Sequence, residues 1–139
     1  MTFVPAREEL PDGSIRLAAE DVSFHLTRLR PDALLVVIRG YDQGQLGTKP
    51  LDEIGATLGR GEPIELFVDA SQVTGVTTAV REEWTRWFVA NRARLRRVHV
   101  LVSGRFMNAA VSVAQHLARV GDLIQITGDA ERFASKLRG

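Results

Sequence analysis

Three short apolar runs, separated by longer amphipathic stretches, constrain this chain more than any other feature of its sequence. The runs cover residues 34–38, 64–68 and 98–102, and each is rich in β-branched or aromatic residues. A run of this length and composition is typical of a strand that is covered on both faces. Strands that alternate with helices pair in parallel through right-handed crossovers. The sequence therefore predicts an α/β fold with a single open mixed sheet, mostly parallel, with the first one or two strands antiparallel at one side.

Local periodicity predicts the remaining elements. Apolar and polar side chains alternate over residues 22–27, which predicts a half-buried strand, and Pro31-Asp32 predicts the turn of an antiparallel hairpin. Ile15 and Leu17 indicate a short edge strand before it. The predicted order is β-β-α-β-α-β-α-β-α, with helices at residues 48–58, 78–97, 107–120 and 129–137 and a last strand at residues 123–126.

Composition and length indicate one domain without disulfides or a transmembrane span. Residues 1–13 contain two prolines and show no sustained period, which predicts a loose lead-in to a domain over residues 14–139. No stretch approaches the roughly 20 apolar residues of a transmembrane span, and the N-terminus lacks the pattern of a secretory signal. The chain has no cysteine and a formal net charge of +1. We therefore expect a cytoplasmic protein without disulfides and without a general attraction to nucleic acid.

Polar side chains follow three of the predicted strands. Because the carboxyl ends of parallel strands meet at one edge of a sheet, we expect these side chains to lie close together. They could bind an anion or a peptide carboxylate through Arg105. In the alternative reading, Asp69 caps loop amides and Arg105 is solvated, or the two form a salt bridge. The candidates for binding a ligand or partner are Tyr41, Asp42, Asp69, Ser71, Ser103 and Arg105, with Asp69 and Ser71 placed in a polar loop.

Thr77 and Thr78 stand where the second predicted helix begins. A hydroxyl at this position accepts a backbone N–H bond and stabilises a helix by about 1 kcal/mol. The same position favours a phosphoryl group, because a helix N-terminus attracts anions. On the residues alone, a capping role and a phosphoacceptor role both remain open.

Besides the order of the elements, one sequence motif carries a family resemblance. The stretch Val68-Asp69-Ala70-Ser71, followed by Thr77-Thr78-Ala79-Val80 at a helix start, resembles the STAS domain family of anti-sigma-factor antagonists and the STAS-like and SEC14-like small proteins of bacteria. In that family an Asp-Ser-Ser-Gly motif opens the helix, and a partner kinase phosphorylates its first serine. Thr78 stands at the place of that serine, while Thr77 replaces the Asp and Val80 replaces the Gly. The resemblance covers roughly residues 20–138.

The resemblance implies regulation by contact with another protein, with a kinase as one such partner. Its SEC14-like side implies an alternative, a carrier or sensor of a small apolar molecule held between helix and sheet. Trp84, Trp87, Phe88 and Met107 would line that cavity. The same aromatic stripe is also what a helix needs to pack on a sheet, and a homodimer face is a further use that remains open.

Catalytic and metal-binding patterns are absent from the sequence. His25, His99 and His116 do not have metal-ligand spacing, and His99 is predicted to be a hydrogen-bonded core residue. There is no glycine-rich phosphate loop and no Gly-x-Ser-x-Gly elbow. The arginines at residues 92–97 stand at a predicted helix C-terminus, where cations are favoured, so they do not by themselves indicate nucleic-acid binding. The sequence and the resemblance together predict a non-catalytic regulatory module without a metal or cofactor. An enzyme of unrecognised type that uses Asp69, Ser71, Thr78 and Arg105 is the remaining alternative.

Overall fold

The computed structural model describes residues 6–58, 61–106 and 123–139 of the chain. In this part seven strands form one open sheet, in the order in which they follow one another along the chain. The strands are β1 (Ala6–Glu9), β2 (Ile15–Ala19), β3 (Val22–Arg30), β4 (Ala33–Asp42), β5 (Ile64–Val76), β6 (Leu95–Val102) and β7 (Ile124–Thr127). The helices are α1 (Lys49–Thr57), α2 (Thr78–Ala90) and α3 (Ala130–Arg138), with 3-10 turns at Arg92–Arg94 and Gly104–Phe106.

The sheet is mixed. From β1 to β4 each strand runs antiparallel to its neighbour, and from β4 to β7 the strands pair in parallel. The predicted α/β fold with one open mixed sheet is confirmed. The described sheet is not mostly parallel, however, because three of its six strand pairings are antiparallel. The predicted helix at residues 107–120 lies outside the described residues.

Different helices cover the two faces of the sheet. The connections through α1 and α2 step in the same direction, and right-handed crossovers place both helices on one face. Ile54 of α1 and Phe88 of α2 pack in the larger hydrophobic cluster on this side, which we call the α1–α2 face. On the opposite side, the α3 face, the ring of Phe133 meets Phe67 of β5 edge-on at a centroid distance of 5.9 Å. Both faces of the central strands are therefore covered, as their apolar runs predict.

The aromatic side chains of α2 pack on the core of the α1–α2 face. The ring of Trp84 is stacked on Phe24 of β3 at a centroid distance of 6.4 Å. Phe88 lies 5.9 Å from Trp84 and 5.7 Å from Trp87, measured between ring centroids. Phe88 is buried, and both tryptophans are half-buried against the core. Met107, the fourth residue of the predicted cavity, lies outside the described residues.

Two helix starts are determined locally. Pro50 occupies the first turn of α1, where its missing N–H has no intrahelical partner to lose. The Oδ1 atom of Asp129 accepts hydrogen bonds from the backbone N–H groups of Glu131 and Arg132, at 3.0 and 3.2 Å. Asp129 is therefore the N-cap of α3, as expected for an Asp that directly precedes a helical stretch.

β5 is much longer than the apolar run that predicts it. The predicted polar loop after residue 68 was wrong, because the strand continues through Asp69 and Ser71 to Val76 and stays paired with β4. Two register shifts in this ladder fit the extra residues of β5 against the shorter β4. β6 pairs with β5 only as far as Ala70, so the last residues of β5 form a partly exposed ribbon with β4. Their polarity reflects exposure to water rather than a loop.

Two other boundaries differ from the prediction. Residues 6–9, which were predicted to be a loose lead-in, form β1; all four are exposed, so they carry no apolar period. The predicted helix over residues 78–97 ends at Ala90, and β6 begins at Leu95. Leu95 stands seven residues after Phe88, a spacing that fits a continuous helix as well as the first inward position of a strand.

Gly40 lets β4 pass close to the β2–β3 turn. Its φ is +93°, and a Cβ atom at this position would lie 2.0 Å from the carbonyl oxygen of Asp21. The next residue uses the same oxygen, because the backbone N–H of Tyr41 donates to it at 2.8 Å. A side chain at Gly40 would therefore separate β4 from the turn.

We expect Gly40→Ala to lower the free energy of unfolding by about 3 kcal/mol, because it combines an unfavourable φ with a clash against backbone. Gly47→Ala is the matched control, since Gly47 also has a positive φ, +58°, but would place its Cβ in open space. This control should cost about 1 kcal/mol. Urea unfolding of both variants measures the difference, and equal losses would contradict the clash.

Candidate functional site

The last residue pairs of the β4–β5 ladder carry two of the candidate residues. Tyr41 is opposite Gly75, and Asp42 is opposite Val76. The Tyr41 ring lies over Gly75 so closely that a Cβ on Gly75 would be 3.2 Å from it, yet 41% of Tyr41 remains exposed. Val76 is 37% exposed. This end of the ladder therefore presents apolar surface to solvent.

Asp42 is a buried carboxylate at the same end. Only 8% of the residue is exposed, and its Oδ1 atom accepts a hydrogen bond from the backbone N–H of Gly44 at 3.0 Å. Burial raises the pKa of Asp42, and the Gly44 hydrogen bond lowers it by less. The backbone carbonyl of Asp42 also accepts from the N–H of Thr77 at 3.1 Å, which joins the end of β4 to the start of α2.

Asp69 and Ser71 lie on β5 and not at the end of the ladder. Asp69 is in register with Leu101, a residue of the α3 face, and neighbours in register share a face. Its Oδ1 atom accepts from both the backbone N–H and the hydroxyl of Ser71, at 3.0 and 2.6 Å. The carboxylate therefore caps a backbone amide, which is the alternative reading of the sequence. Among the described contacts no ion pair joins Asp69 to Arg105.

Ser103 and Arg105 follow the end of β6. Ser103 is half-buried, and Arg105 is exposed in the 3-10 turn. Described contacts thus join Asp42 to Thr77 and Tyr41 to Gly75, whereas Asp69 and Ser71 bond to each other nearer the middle of β5. The predicted role of the whole set in binding a ligand or partner stays a prediction.

The two threonines at the start of α2 have different surroundings. The Oγ1 atom of Thr77 accepts from the backbone N–H of Val80 at 3.3 Å, so Thr77 is the N-cap. Thr78 is exposed, and its Oγ1 atom accepts from the Nη2 group of Arg81 at 3.1 Å. The Nε–H group of Arg81 is buried and has no hydrogen-bond partner within the described structure. The hydroxyl of Thr77 therefore caps the helix. The hydroxyl of Thr78 instead lies beside Arg81, whose Nε–H donor has no partner within the described structure.

Sequence reasoning missed Arg81 as a member of this site. The available signal was its position three residues after Thr78, since residues three apart lie on the same side of a helix.

His99 is a hydrogen-bonded core residue, as predicted: it is 5% exposed, and its Nε2 atom lies 2.6 Å from the Oε2 atom of Glu65. Desolvation would raise the pKa of Glu65, but its hydrogen bonds with His99 and Arg96 lower it below the ordinary value.

A membrane-spanning helix and a metal-binding cluster each have requirements that the described residues do not meet. None of these helices has the length and hydropathy that a bilayer crossing requires. Within residues 6–58, 61–106 and 123–139, no three His, Asp or Glu side chains cluster as metal ligands would.

Comparison with solved structures identifies the fold. An uncharacterised protein of the DUF3478 family from Shewanella loihica, described as having a SpoIIAA-like fold, superposes with a TM-score of 0.58 at 17% identity, covering 84% of this chain and 94% of its own. An anti-sigma factor antagonist from Mycobacterium paratuberculosis superposes with a TM-score of 0.58 at 13% identity, covering 95% of this chain and 100% of its own. The fold is STAS-like. No protein-family model and no curated protein sequence matches the chain.

The buried carboxylate of Asp42 predicts that the stability of the protein depends on pH. The pKa of Asp42 is higher in the folded state than in the unfolded state. The stability that protonated Asp42 contributes is therefore fully present below the unfolded pKa and is lost as the pH rises through the folded pKa. Asp42→Asn keeps an acceptor for Gly44 without a buried charge. We expect it to raise the free energy of unfolding by about 1 kcal/mol at pH 7, with a gain that shrinks towards pH 3.

Urea unfolding at both pH values checks this prediction. Asp21→Asn, at an exposed turn position, is the control and should change stability by less than about 0.5 kcal/mol. A gain for Asp42→Asn that is the same at both pH values would rule out the titration of Asp42 as its cause.

Proposed function

We propose that this STAS-like domain is a non-catalytic regulatory module that binds another protein through the surface around the start of α2. We call this surface, formed by Tyr41, Val76, Thr78 and Arg81, the α2-start surface. The fold supports the class of function, since one structural neighbour is itself an anti-sigma factor antagonist. At this end of the ladder two exposed apolar residues, one on each face, accompany an exposed hydroxyl and a cation, which suits a contact that is formed and released.

The division of roles between Thr77 and Thr78 is the observation on which the proposal rests. A phosphoacceptor hydroxyl must be exposed and must be dispensable for the local fold. Thr78 meets both conditions, because Thr77 already caps the helix and Thr78 is exposed. Thr78 is therefore the proposed phosphoacceptor, and a protein kinase is the proposed second partner.

Arg81 would stabilise the modified state. Its Nη2 group already reaches Thr78 Oγ1, and the Nε–H donor beside it lacks a partner within the described structure. A phosphoryl group brings three acceptor oxygens and about −1.5 to −2 charge, which suit the guanidinium and the helix N-terminus. Glu82 and Glu83, one turn further along α2, would oppose part of this charge.

Phosphorylation would change what the α2-start surface can bind. In the unmodified protein Tyr41 and Val76 offer apolar contact area at the same end of the ladder as a neutral hydroxyl. In the modified protein a partner would have to desolvate a dianion next to these residues, or supply cations to pair with it. A partner that binds the apolar form is therefore released by the modification.

Intact-mass spectrometry of the protein from its native host tests the site. We expect an added phosphoryl mass in the wild type and in Thr77→Ala, and its loss in Thr78→Ala. Stability should respond in the opposite way, because Thr77→Ala removes the helix cap and should cost about 1 kcal/mol, whereas Thr78→Ala should cost less than about 0.5 kcal/mol. The two neighbouring threonines thus serve as controls for each other.

The same measurement separates the alternatives. A phosphoryl mass that persists in Thr78→Ala would disprove the assigned acceptor. A mass that is present under native conditions and lost on denaturation would instead support the carrier of a small apolar molecule, with Trp84, Trp87 and Phe88 near its site. An unmodified mass in both states, together with a captured partner protein, would leave the binding module without the switch.

A further inference from the structure

Cations gather at the other edge of the sheet, where β4, β5 and β6 begin and α1, α2 and α3 end. We call this surface the arginine edge. Its carboxylates, in the part of the edge that the structure describes, are Asp32, Glu62 and Glu65. The cations outnumber them; they are Arg28, Arg30, Arg92, Arg94, Arg96, Arg97, Lys136 and Arg138.

Described contacts join one half of this edge to the end of α1. Arg28 donates to the carbonyl oxygens of Pro31 at 2.8 Å and of Thr57 at 3.0 Å. Arg94 donates to the carbonyl oxygen of Leu58, the next residue. Arg28 and Arg94 are 66 positions apart in the sequence, yet they donate to the carbonyl groups of two consecutive residues.

A second set of contacts joins this edge to α3. Both terminal nitrogens of Arg96 lie 3.2 Å from Oδ2 of Asp32, and Nη2 also lies 3.2 Å from Oε1 of Glu65. Arg30 lies 3.9 Å from each of these two carboxylates and donates to the carbonyl oxygen of Leu137 at 2.8 Å. The arginine edge thus holds two sets of contacts, one at the end of α1 and one beside α3.

The helix ends account for the position of these cations but not for their excess. A helix C-terminus carries only about half a negative charge, and a carbonyl oxygen that accepts a hydrogen bond does not neutralise a guanidinium. Asp32 and Glu65 share Arg30 and Arg96 between them. The whole chain has a net charge of only +1, so the excess of cations is local to this edge.

We propose that the arginine edge binds an acidic segment of a partner protein, rich in Asp and Glu. The planar fork of arginine fits carboxylates, and Asp32 and Glu65 already occupy such positions between Arg30 and Arg96. A single-stranded nucleic acid would need exposed aromatic rings for stacking, and the exposed aromatic among the described residues, Tyr41, lies at the opposite edge. This surface is separate from the α2-start surface and does not depend on Thr78.

Binding of a fluorescent octaglutamate peptide tests the proposal, with octaglutamine as the neutral control. We expect octaglutamate to bind at about 50 mM salt and to lose affinity at about 500 mM salt, because exposed charges are screened. Arg28→Gln with Arg96→Gln should weaken binding about tenfold. Arg16→Gln with Arg39→Gln removes the same charge from exposed positions outside the arginine edge and should weaken it less than about twofold.

Several results would overturn the proposal: equal losses in the two double variants, no octaglutamate binding at low salt, or tighter binding of a DNA duplex or of phosphatidylserine vesicles than of octaglutamate. Arg28→Lys with Arg96→Lys keeps the charge and removes the fork, so we expect it to lose part of the affinity. If a variant fails to fold, amide chemical shifts of the wild type decide: octaglutamate should move the signals of residues 28–32 and 94–97, and movement confined to residues 41–44 and 76–81 would contradict the assignment.

Discussion

The parallel pairing of β4 with β5 is the interaction on which the rest of the structure depends. It runs from Ala33 opposite Glu65 to Asp42 opposite Val76, and it joins the antiparallel side of the sheet to the parallel side. Hydrogen bonds between these backbones place the start of α2 beside the end of β4, where Thr77 donates to the carbonyl of Asp42. The same ladder brings Glu65 beside the β3–β4 turn, where its N–H donates to the carbonyl of Asp32 at 2.7 Å. Both surfaces discussed above are the two ends of this one ladder.

The chemistry of the two ends differs because the helices run opposite to the strands they connect. At the carboxyl end of the ladder α2 begins, so the local dipole is positive and suits an added phosphate. At the amino end the helices finish, so the local dipole is negative and suits arginine. One arrangement of the backbone therefore favours an anion at Thr78 and cations around Asp32. A protein of this fold can therefore favour an added phosphate at one end of the ladder and a cluster of arginines at the other without any special loop.

Stability and proposed function are carried by different residues at the α2-start surface. Thr77 holds the helix, and the exposed hydroxyl of Thr78 is left for modification. The desolvated carboxylate of Asp42 works against stability at neutral pH, while the hydrogen bond from Gly44 and the backbone contact with Thr77 keep it in place. Groups that oppose folding in this way are common near functional surfaces, because neighbouring structure must hold them in position.

The sequence by itself determined the fold class, the order of its main elements and the local caps. The apolar runs within β4, β5 and β6 are intrinsically strand-like, and Asp129 and Thr77 act on backbone groups only a few residues away. Local chemistry is enough for such features. It could not predict β1, because an exposed edge strand such as residues 6–9 has no buried side to mark it.

Tertiary structure decided the features that depend on residues far apart in the chain. The second half of β5 is a strand because β4 lies beside it, although its polar sequence alone indicates a loop. Leu95 is a strand residue because β6 pairs with β5, although its spacing from Phe88 fits a helix. Arg28, Arg94 and Arg96 share one edge only because β3 and α1 end there and β6 begins there. The pairing of backbones, which is nonlocal and carries no side-chain signature, is the physical reason that the sequence could not place them.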